Sequence, residues 1–355
     1  MTTNHKYYLN LAFNIAEKNL GKTKNNPSVG AVVVKENSII SSGTTSINGK
    51  PHAEFNALSR KENFHGANLY ITLEPCTHYG KTPPCVNIII KKKIKKVFYA
   101  FEDPDFRTYK KAKKILKEKK INASLIKVDK FKNFYSSYYF NKKFKLPFIT
   151  AKIAISKDYY TVNKKSKWIT NETSRKIVHI LRSRNDCIFS TYKTINIDNS
   201  LLNCRINGLN NYKPDLFIID LDLKLKKNIS IINMTKKRKT FLITKNKDKN
   251  KISFFKKKGF KVIFLESLAN EKDLKLMLQN VYKLGYRRAF FETGLTFLNS
   301  LIKFNLLNNL YIFQNNKNLK NNGFNNNSIK YLKKIKLTKK ICVNLNNDNL
   351  YKIEF

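Results

Sequence analysis

Apolar and polar positions in the first part of the chain follow helical and strand periods in turn. Apolar side chains recur three and four residues apart from Tyr8 to Ala16, which predicts a helix. The segments Val29–Val34 and Ser38–Ser42 lie close together and predict a β-hairpin. The further predicted elements are a helix that begins near His52, a strand at Leu69–Leu73, a helix that opens with Pro83–Pro84, a strand at Lys96–Phe101, a helix at Lys110–Lys120 and a strand at Ile121–Val128. This alternation is typical of an α/β layer structure.

The same alternation starts again after a hinge that we predict near Lys142–Pro147. The predicted strands are Phe148–Ile155, Asp186–Ser190, Leu216–Asp220, Thr240–Thr244, Lys261–Leu265 and Arg288–Glu292. The predicted helices are Thr173–Arg182, with Asn171 as its N-cap, Asp273–Leu284 and Leu295–Ile302. The low-complexity segment Asn315–Asn327 is predicted to be a loop. A chain of 355 residues with two such series predicts two α/β domains, residues 1–146 and 147–355.

The chain is strongly basic, with 70 Lys and Arg against 24 Asp and Glu and a net charge of +46. Such a charge normally suggests nucleic-acid binding. However, only 9 of the 70 are arginine, the residue that favours base edges and bidentate phosphate contacts. Lysine is accompanied here by abundant Asn and Ile, and these three residues share A/T-rich codons. We therefore interpret the charge mainly as solvated surface lysine, with nucleic-acid binding and attraction of phosphorylated substrates as the alternatives.

No segment of the sequence predicts a membrane-bound or secreted protein. No run approaches the roughly 20 apolar residues of a membrane span, and Met1–Lys6 does not resemble the start of a signal peptide. We expect a cytoplasmic protein. Five cysteines in so long a chain do not predict a disulfide scaffold. Cys187, Cys204 and Cys342 lie in no motif and are predicted to be buried free thiols.

The other two cysteines belong to the strongest chemical motif of the chain. His52-Ala53-Glu54 is followed by Pro75-Cys76 and then by Cys85. One histidine and two cysteines supply the three protein ligands of a catalytic zinc ion, which keeps a fourth position open for water. Glu54 is placed to move a proton between water and a leaving amine. This order of residues is the signature of zinc-dependent deaminases that act on amino-substituted pyrimidine and purine rings.

The spacing of the two cysteines narrows this class. The general signature has two residues between them, whereas eight residues separate Cys76 from Cys85 here. The segment Leu73–Cys85, together with His52-Ala53-Glu54 and Glu102-Asp103-Pro104, closely resembles the bifunctional deaminase/reductase family of riboflavin biosynthesis. The long loop with the letters GKTPP separates that family from deaminases of cytidine, tRNA adenosine and edited nucleobases.

For the first domain, the resemblance implies the three-layer cytidine-deaminase-like fold. It implies one zinc ion held by His52, Cys76 and Cys85, with Glu54 as the catalytic acid and base. The implied reaction is hydrolytic deamination of 2,5-diamino-6-(5-phosphoribosylamino)pyrimidin-4-one. The substrate contacts that the resemblance implies are Asn26, His78, Lys81 and Asp103. The family usually has Asn two positions after that Asp, where this chain has Asp105.

The resemblance continues through the second half of the chain. Lys152–Asp158 matches the family pattern KxAxSxD, but Tyr159 replaces the glycine that follows it. Ser166–Thr170 matches SxWIT, and Glu292–Thr296 matches ExGxT. The family's Pro- and Gly-bearing stretch has become Gln314–Asn326 in this chain. These matches imply a dihydrofolate-reductase-like α/β domain that uses NADPH to reduce the ribosyl group to a ribityl chain.

The reductase residues that the resemblance implies fall into three groups. The cofactor positions are Ala154, Trp168, Thr194, Asp198 and Gly294. The substrate positions are Ser166, Arg182, Leu202, Arg205 and Glu292, of which the two arginines would hold the substrate phosphate. Lys152, together with Glu292, would polarise and protonate the ribose carbonyl oxygen. A phosphate of NADPH is expected at the start of the helix after Gly294.

Three functions are compatible with these patterns. The first is the two-step biosynthetic enzyme, with a phosphorylated pyrimidine as substrate and with no specific nucleic acid and no membrane as partner. The second is a nucleic-acid-editing deaminase, which the Cys76–Cys85 spacing and the reductase-like second half disfavour. The third is a deaminase whose reductase half has decayed, which Tyr159 and the Asn-rich segment suggest. The sequence leaves a homo-oligomer open.

Overall fold

The computed structural model describes residues 4–80, 82–208 and 213–355. The chain divides into two units, one ending at Lys145 and the other beginning at Leu146. Each unit is built on a sheet of its own. Among the described residues, no helix has the length and apolar character needed to cross a membrane.

The first unit alternates helices and strands. Its helices are α1 (His5–Glu17), α2 (Ala53–Leu58), α3 (Cys85–Lys91), α4 (Ala112–Glu118) and α5 (Ser136–Phe144). Its strands are β1 (Gly30–Lys35), β2 (Ser38–Thr44), β3 (Asn68–Ile71), β4 (Lys96–Tyr99) and β5 (Asn122–Leu125). The sheet has the order β2-β1-β3-β4-β5, in which β1 is antiparallel to both neighbours and the other pairs are parallel.

Two helices pack closely on the hairpin of this sheet, one on each face. A Cβ atom at Gly30 would collide with the carbonyl group of Ala12 in α1. A Cβ atom at Gly43 would lie 2.5 Å from the carbonyl oxygen of Ala53 in α2. Gly43 pairs with Ala31, the neighbour of Gly30, so the two glycines face opposite sides of the sheet. The sheet is therefore the middle of three layers, as the cytidine-deaminase-like fold requires.

The second unit contains a larger sheet. Its helices are α6 (Glu172–Ser183), α7 (Tyr192–Asp198), α8 (Lys249–Lys257), α9 (Glu271–Lys283), α10 (Gly294–Lys303) and α11 (Lys330–Lys334). Its strands are β6 (Phe148–Ile155), β7 (Val162–Asn163), β8 (Cys187–Thr191), β9 (Asp215–Ile219), β10 (Thr240–Thr244), β11 (Phe260–Phe264), β12 (Arg288–Phe291), β13 (Asn309–Asn315), β14 (Gly323–Phe324) and β15 (Asp348–Glu354). Eight strands follow the order β11-β10-β9-β8-β12-β6-β13-β15, and all neighbours are parallel except β13 and β15. Strands β7 and β14 form a separate antiparallel pair.

A row of four buried phenylalanines sets the register at the centre of this sheet. Phe291, Phe189, Phe217 and Phe241 come from β12, β8, β9 and β10 and occupy paired positions. Their rings stack with centroid distances of 4.3–4.8 Å. Such aromatic pairs stabilise a sheet by more than the burial of their apolar surface alone would. The row also aligns the carboxyl ends of β8 and β12, where ligands bind in sheets of this kind.

The predicted α/β class is confirmed in both units, but some elements are absent from the prediction. Helices α7 and α8 are short, and each begins at a capping side chain, Thr191 and Asp248 respectively. Helix α8 buries only Ile252 and Phe255, which is too few for a clear helical period. The prediction that Cys342 is buried is wrong, because its side chain is exposed.

Candidate active sites

The three predicted zinc ligands meet in the first unit. His52 is the residue before α2, Cys85 is the first residue of α3, and Cys76 follows β3. Nδ1 of His52 lies 3.3 Å from Sγ of Cys85 and 3.6 Å from Sγ of Cys76. The ligand atoms all lie within 4.8 Å of one another. One imidazole and two sulfur atoms at this separation form a donor set that fits zinc.

The charge state of Cys76 also suits a metal, because the thiolate is the metal ligand. The backbone N–H of Cys85 donates a hydrogen bond to Sγ of Cys76 at 3.2 Å. Hydrogen bonds from the Cys85 thiol and from His52 lower the pKa of Cys76 to about 4. The site therefore stabilises negative charge on sulfur before any ion is bound.

Glu54 lies in the first turn of α2, two residues after His52. Its side chain is only 4% exposed. Burial, followed by the charge of Cys76, raises the pKa of Glu54 to about 7. A carboxyl group with a pKa near neutral can both accept and donate a proton, as a catalyst of hydrolysis at a ring amine must.

We expect the Cys76→Ser variant to lose most of its bound zinc, because a neutral hydroxyl replaces the thiolate ligand. Metal analysis of the purified protein measures this. The matched control is Cys342→Ser, which changes an exposed cysteine outside the motif and should keep the wild-type zinc content. Full zinc content in Cys76→Ser would show that the ion is held elsewhere.

Hydrogen bonds hold the described members of the predicted deaminase substrate contacts in place. Nδ2 of Asn26 donates to the carbonyl oxygen of Gly49 at 2.7 Å and lies 3.5 Å from Nε2 of His52, so Asn26 is next to the zinc ligand. His78 is held by a hydrogen bond of 3.1 Å between its Nδ1 and Oγ1 of Thr108. Lys81, a further predicted contact, lies outside the described residues.

The loop that carries Asp103 is held by two residues outside the predicted contacts, Glu74 and Tyr138. Glu74 accepts hydrogen bonds from the backbone N–H groups of Asp103, Lys110 and Ala112 at 3.1–3.2 Å. The hydroxyl of Tyr138 in α5 donates to Oδ1 of Asp103 at 3.0 Å. The position of Glu74 beside the Pro-Cys motif was a usable signal. Tyr138 is 35 residues from Asp103 and has no local signal.

Asp105, at the position where the family usually has Asn, is paired with two positively charged side chains. Its carboxylate accepts two hydrogen bonds from the Arg107 guanidinium, at 2.6 and 2.9 Å, and one from Nζ of Lys142 at 2.7 Å. The Arg107 guanidinium, more than Lys142, holds the pKa of Asp105 far below its usual range. The buried carboxylate is thus ionised and paired.

In the second unit, four of the predicted reductase residues form one charged cluster. Arg182 makes a bidentate ion pair with Glu292, with distances of 2.6 and 3.0 Å, and both side chains are largely buried. Lys152 on β6 is close enough to Glu292 and Asp198 for their charges to act on it. Burial nevertheless lowers the pKa of Lys152 below its ordinary value. A partly buried lysine opposite two carboxylates is a candidate proton donor.

A candidate cofactor position lies beside this cluster. Gly294 begins α10 with φ +73°, a conformation that side-chain-bearing residues rarely adopt. A Cβ atom there would meet only Oγ1 of Thr194, at 4.0 Å, so the space above the helix start is open. Free backbone N–H groups at a helix start favour a phosphate. The donor set therefore fits a phosphate-bearing cofactor such as NADPH.

The remaining predicted reductase residues differ in their exposure and in their hydrogen-bond partners. Ala154 is two residues after Lys152 on β6 and shares its face. Trp168 is 49% exposed, and Ser166 accepts a hydrogen bond from its backbone N–H at 3.2 Å. The Leu202 side chain lies in the core, so only its backbone can contact a ligand. Arg205 is exposed and bonds to Oδ1 of Asn203 at 2.6 Å.

The position where Tyr159 replaces glycine has a left-handed backbone, with φ +66°. The turn around it is nevertheless held firmly. Asn325 donates to the carbonyl oxygen of Tyr159 at 3.1 Å and accepts from the backbone N–H of Thr161 at 2.9 Å. Asp158 accepts from the backbone N–H groups of Leu319 and Lys320 at 3.1 and 2.8 Å. The Asn-rich segment therefore supports the turn at the carboxyl end of β6.

Comparisons with known proteins find relatives of both units of the chain. Residues 2–101 match the family described as the cytidine and deoxycytidylate deaminase zinc-binding region, and residues 147–319 match the RibD C-terminal domain. The riboflavin biosynthesis protein RibD of Aquifex aeolicus (strain VF5) is 34% identical over 312 residues, which cover 87% of this chain and 86% of that protein.

Solved structures share the fold over nearly the whole chain. RibD of Acinetobacter baumannii (form 1) has a TM-score of 0.83 at 25% identity and covers 99% of this chain and 98% of its own. A diaminohydroxyphosphoribosylaminopyrimidine deaminase/5-amino-6-(5-phosphoribosylamino)uracil reductase from Thermotoga maritima has a TM-score of 0.82 at 23% identity, with the same coverage. The chain therefore belongs to the RibD family of riboflavin biosynthesis proteins, and it carries both the deaminase and the reductase domain of that family.

Proposed function

We propose that this chain deaminates 2,5-diamino-6-(5-phosphoribosylamino)pyrimidin-4-one and then reduces the ribosyl group of the product to a ribityl chain. The observation that carries the proposal is the meeting of His52, Cys76 and Cys85 beside a buried Glu54. The name of the Thermotoga maritima protein describes the same two activities. When bound, zinc supplies Lewis-acid activation of water and NADPH supplies a hydride.

In the deaminase step, Glu54 takes a proton from the attacking water and delivers one to the leaving amine. Asn26, His78 and Asp103 orient the pyrimidine near the zinc ligands. The hydrogen bonds to Asp103 from Tyr138 and from the backbone N–H of Asp105 keep that carboxylate in one orientation. Positioning of this kind lowers the barrier because the reacting groups are held before reaction.

In the reductase step, the chain's own residues bind the phosphate and supply the proton. Arg205 is the freer of the two predicted phosphate ligands, because Arg182 already pairs with Glu292. Lys152 donates a proton to the ribose oxygen, and Glu292 orients the substrate beside it. Thr194 and Gly294 border the space for the cofactor phosphate. The strong positive charge of the chain favours the approach of a phosphorylated substrate rather than a specific nucleic acid.

One coupled assay tests both steps of the proposal. Purified protein given the diamino substrate and NADPH should release ammonia and then lose the absorbance of the reduced nicotinamide. We expect Arg205→Ala to lower the reductase kcat/KM by about tenfold, because one charge-assisted phosphate contact is lost. Its ammonia release should stay at the wild-type level. Ammonia release by folded wild-type protein without NADPH oxidation would show that the reductase half is inactive.

A further inference from the structure

Arg238 is a buried arginine just before β10 that no predicted site includes. Its side chain is 6% exposed and makes no ion pair within the described part of the chain. Burial lowers its pKa to about 10. An unpaired charge is costly to bury, so it needs strong hydrogen bonds to the groups around it.

The guanidinium of Arg238 bonds to three backbone carbonyl oxygens. Nη2 donates to Leu201 at 2.6 Å, while Nη1 donates to Leu202 at 2.5 Å and to Pro214 at 3.0 Å. Leu201–Leu202 and Pro214 are the two ends of the connection between α7 and β9. Arg238 therefore ties the start of this connection to its end.

These bonds also orient the start of the connection. In a trans peptide the N–H points away from the preceding carbonyl oxygen. Because the carbonyl groups of Leu201 and Leu202 point at Arg238, the N–H groups of Leu202 and Asn203 point to the opposite side. Neither N–H has a protein acceptor among the described residues. Two successive N–H groups turned the same way favour an anion.

Two other arginines lie along the same stretch. Nη1 of Arg182 donates to the carbonyl oxygen of Asn203 at 2.9 Å, and Nη1 of Arg205 donates to Oδ1 of Asn203 at 2.6 Å. Leu202 has φ +46°, a left-handed conformation that costs free energy in a residue with a side chain. The bond from Arg238 to the carbonyl oxygen of Leu202 opposes that cost.

We propose that Arg238 is a positioning residue of the reductase, which holds the segment Leu202–Arg205 in the conformation that binds the substrate phosphate. The inference rests on the proposed function, since it takes the phosphate of the deaminated substrate as the ligand of this segment. Arg238 touches neither substrate nor cofactor; it acts through the backbone of Leu202. Its effect is confined to the phosphorylated substrate.

The test is steady-state reduction of the deaminated phosphoribosylamino-uracil and of its dephosphorylated form by full-length Arg238→Lys protein. A lysine keeps the charge but lacks the planar fork that reaches carbonyls on both ends of the connection. We expect the KM for the phosphorylated substrate to rise about tenfold, with kcat changed by less than about threefold. The KM for NADPH and the values for the dephosphorylated substrate should not change.

Arg184→Lys is the matched control, because it makes the same change at an exposed arginine of α6's C-terminal end and should behave as wild type. Arg238→Gln, which keeps two donors, is a second variant. Wild-type zinc content and ammonia release, together with an unchanged melting temperature, identify folded protein. A folded Arg238 variant with unchanged KM, or with equal losses on all three ligands, would overturn the positioning role.

A binding measurement separates this inference from the proposed function. The phosphorylated uracil is titrated calorimetrically into each protein without NADPH. Wild-type protein that binds it about tenfold more tightly than Arg238→Lys but never oxidises NADPH supports the positioning role and contradicts the reductase. Wild-type protein that turns over with no difference in binding between the variants contradicts the positioning role alone. No binding to wild-type protein contradicts both.

Discussion

Replacement of Glu54 by glutamine is expected to lower ammonia release by about 10²–10⁴-fold while zinc stays bound. The amide keeps the size and shape of the side chain but cannot carry a proton. Glu54 is not one of the three candidate ligands, His52, Cys76 and Cys85, so the donor set is unchanged. The measurement is the rate of ammonia release by protein whose zinc content has been determined.

Two control measurements test whether the loss of activity is confined to Glu54 and to the deaminase reaction. The control variant Glu62→Gln changes an exposed carboxylate after α2 and should keep the wild-type rate. The Glu54→Gln protein should still oxidise NADPH when it is given substrate that is already deaminated, because the reductase residues lie in the other unit. Near-normal ammonia release by zinc-loaded Glu54→Gln would mean that another group moves the proton.

The deaminase site could be predicted from sequence because its residues sit in short motifs at element ends. His52 and Glu54 flank the start of α2, and Cys85 begins α3 after the Pro83–Pro84 signal. Signals that depend only on neighbouring residues can be recognised in a single sequence. The position of Glu74 beside the Pro-Cys motif is a local signal, but the hydrogen bonds that Glu74 and Tyr138 make to the Asp103 loop could not be predicted, because they join segments about 30 residues apart.

The difference between local and long-range signals also explains which elements of the reductase half could be predicted from the sequence. The buried strands could be predicted because parallel strands are covered on both faces and therefore form nearly continuous apolar runs. Thr240–Thr244 is an example. The short helix α7 could not be, since its first turn depends on one capping bond from Thr194 to Thr191. The role of Arg238 could not be predicted from the sequence either. Its three carbonyl partners lie 24 to 37 residues away and carry no side-chain signal.

Tyr159 shows how a sequence change and its structural consequence can differ. Loss of a glycine from a left-handed position suggests decay, because a side chain there is strained by roughly 1–3 kcal/mol. In the structure the position keeps φ +66°, and Asn325 from the Asn-rich segment bonds to both sides of the turn. The altered turn and the altered loop therefore support each other, which agrees with a reductase half that still functions.

Replacement of Lys152 by methionine is expected to lower the reductase kcat by about 10²–10⁴-fold, the usual contribution of a general acid. Methionine is similar in length and uncharged, so it can occupy the partly buried position on β6. Glu292 keeps its bidentate partner Arg182 in this variant. Ammonia release should be unchanged. The matched control is Lys283→Met, which removes an exposed lysine from α9.

The pH dependence of the wild-type reductase gives an independent check on this role. Burial lowers the pKa of Lys152 from its ordinary value, although Glu292 opposes the shift. A proton donor works only while it is protonated, so kcat should fall as the pH rises through this lowered pKa. The fall should therefore occur at a lower pH than the titration of an exposed lysine, near 10.4, would give. In Lys152→Met the residual rate should lose this alkaline limb, because the titrating group is gone. A variant that keeps both the wild-type rate and the alkaline limb would place the proton donor on another residue.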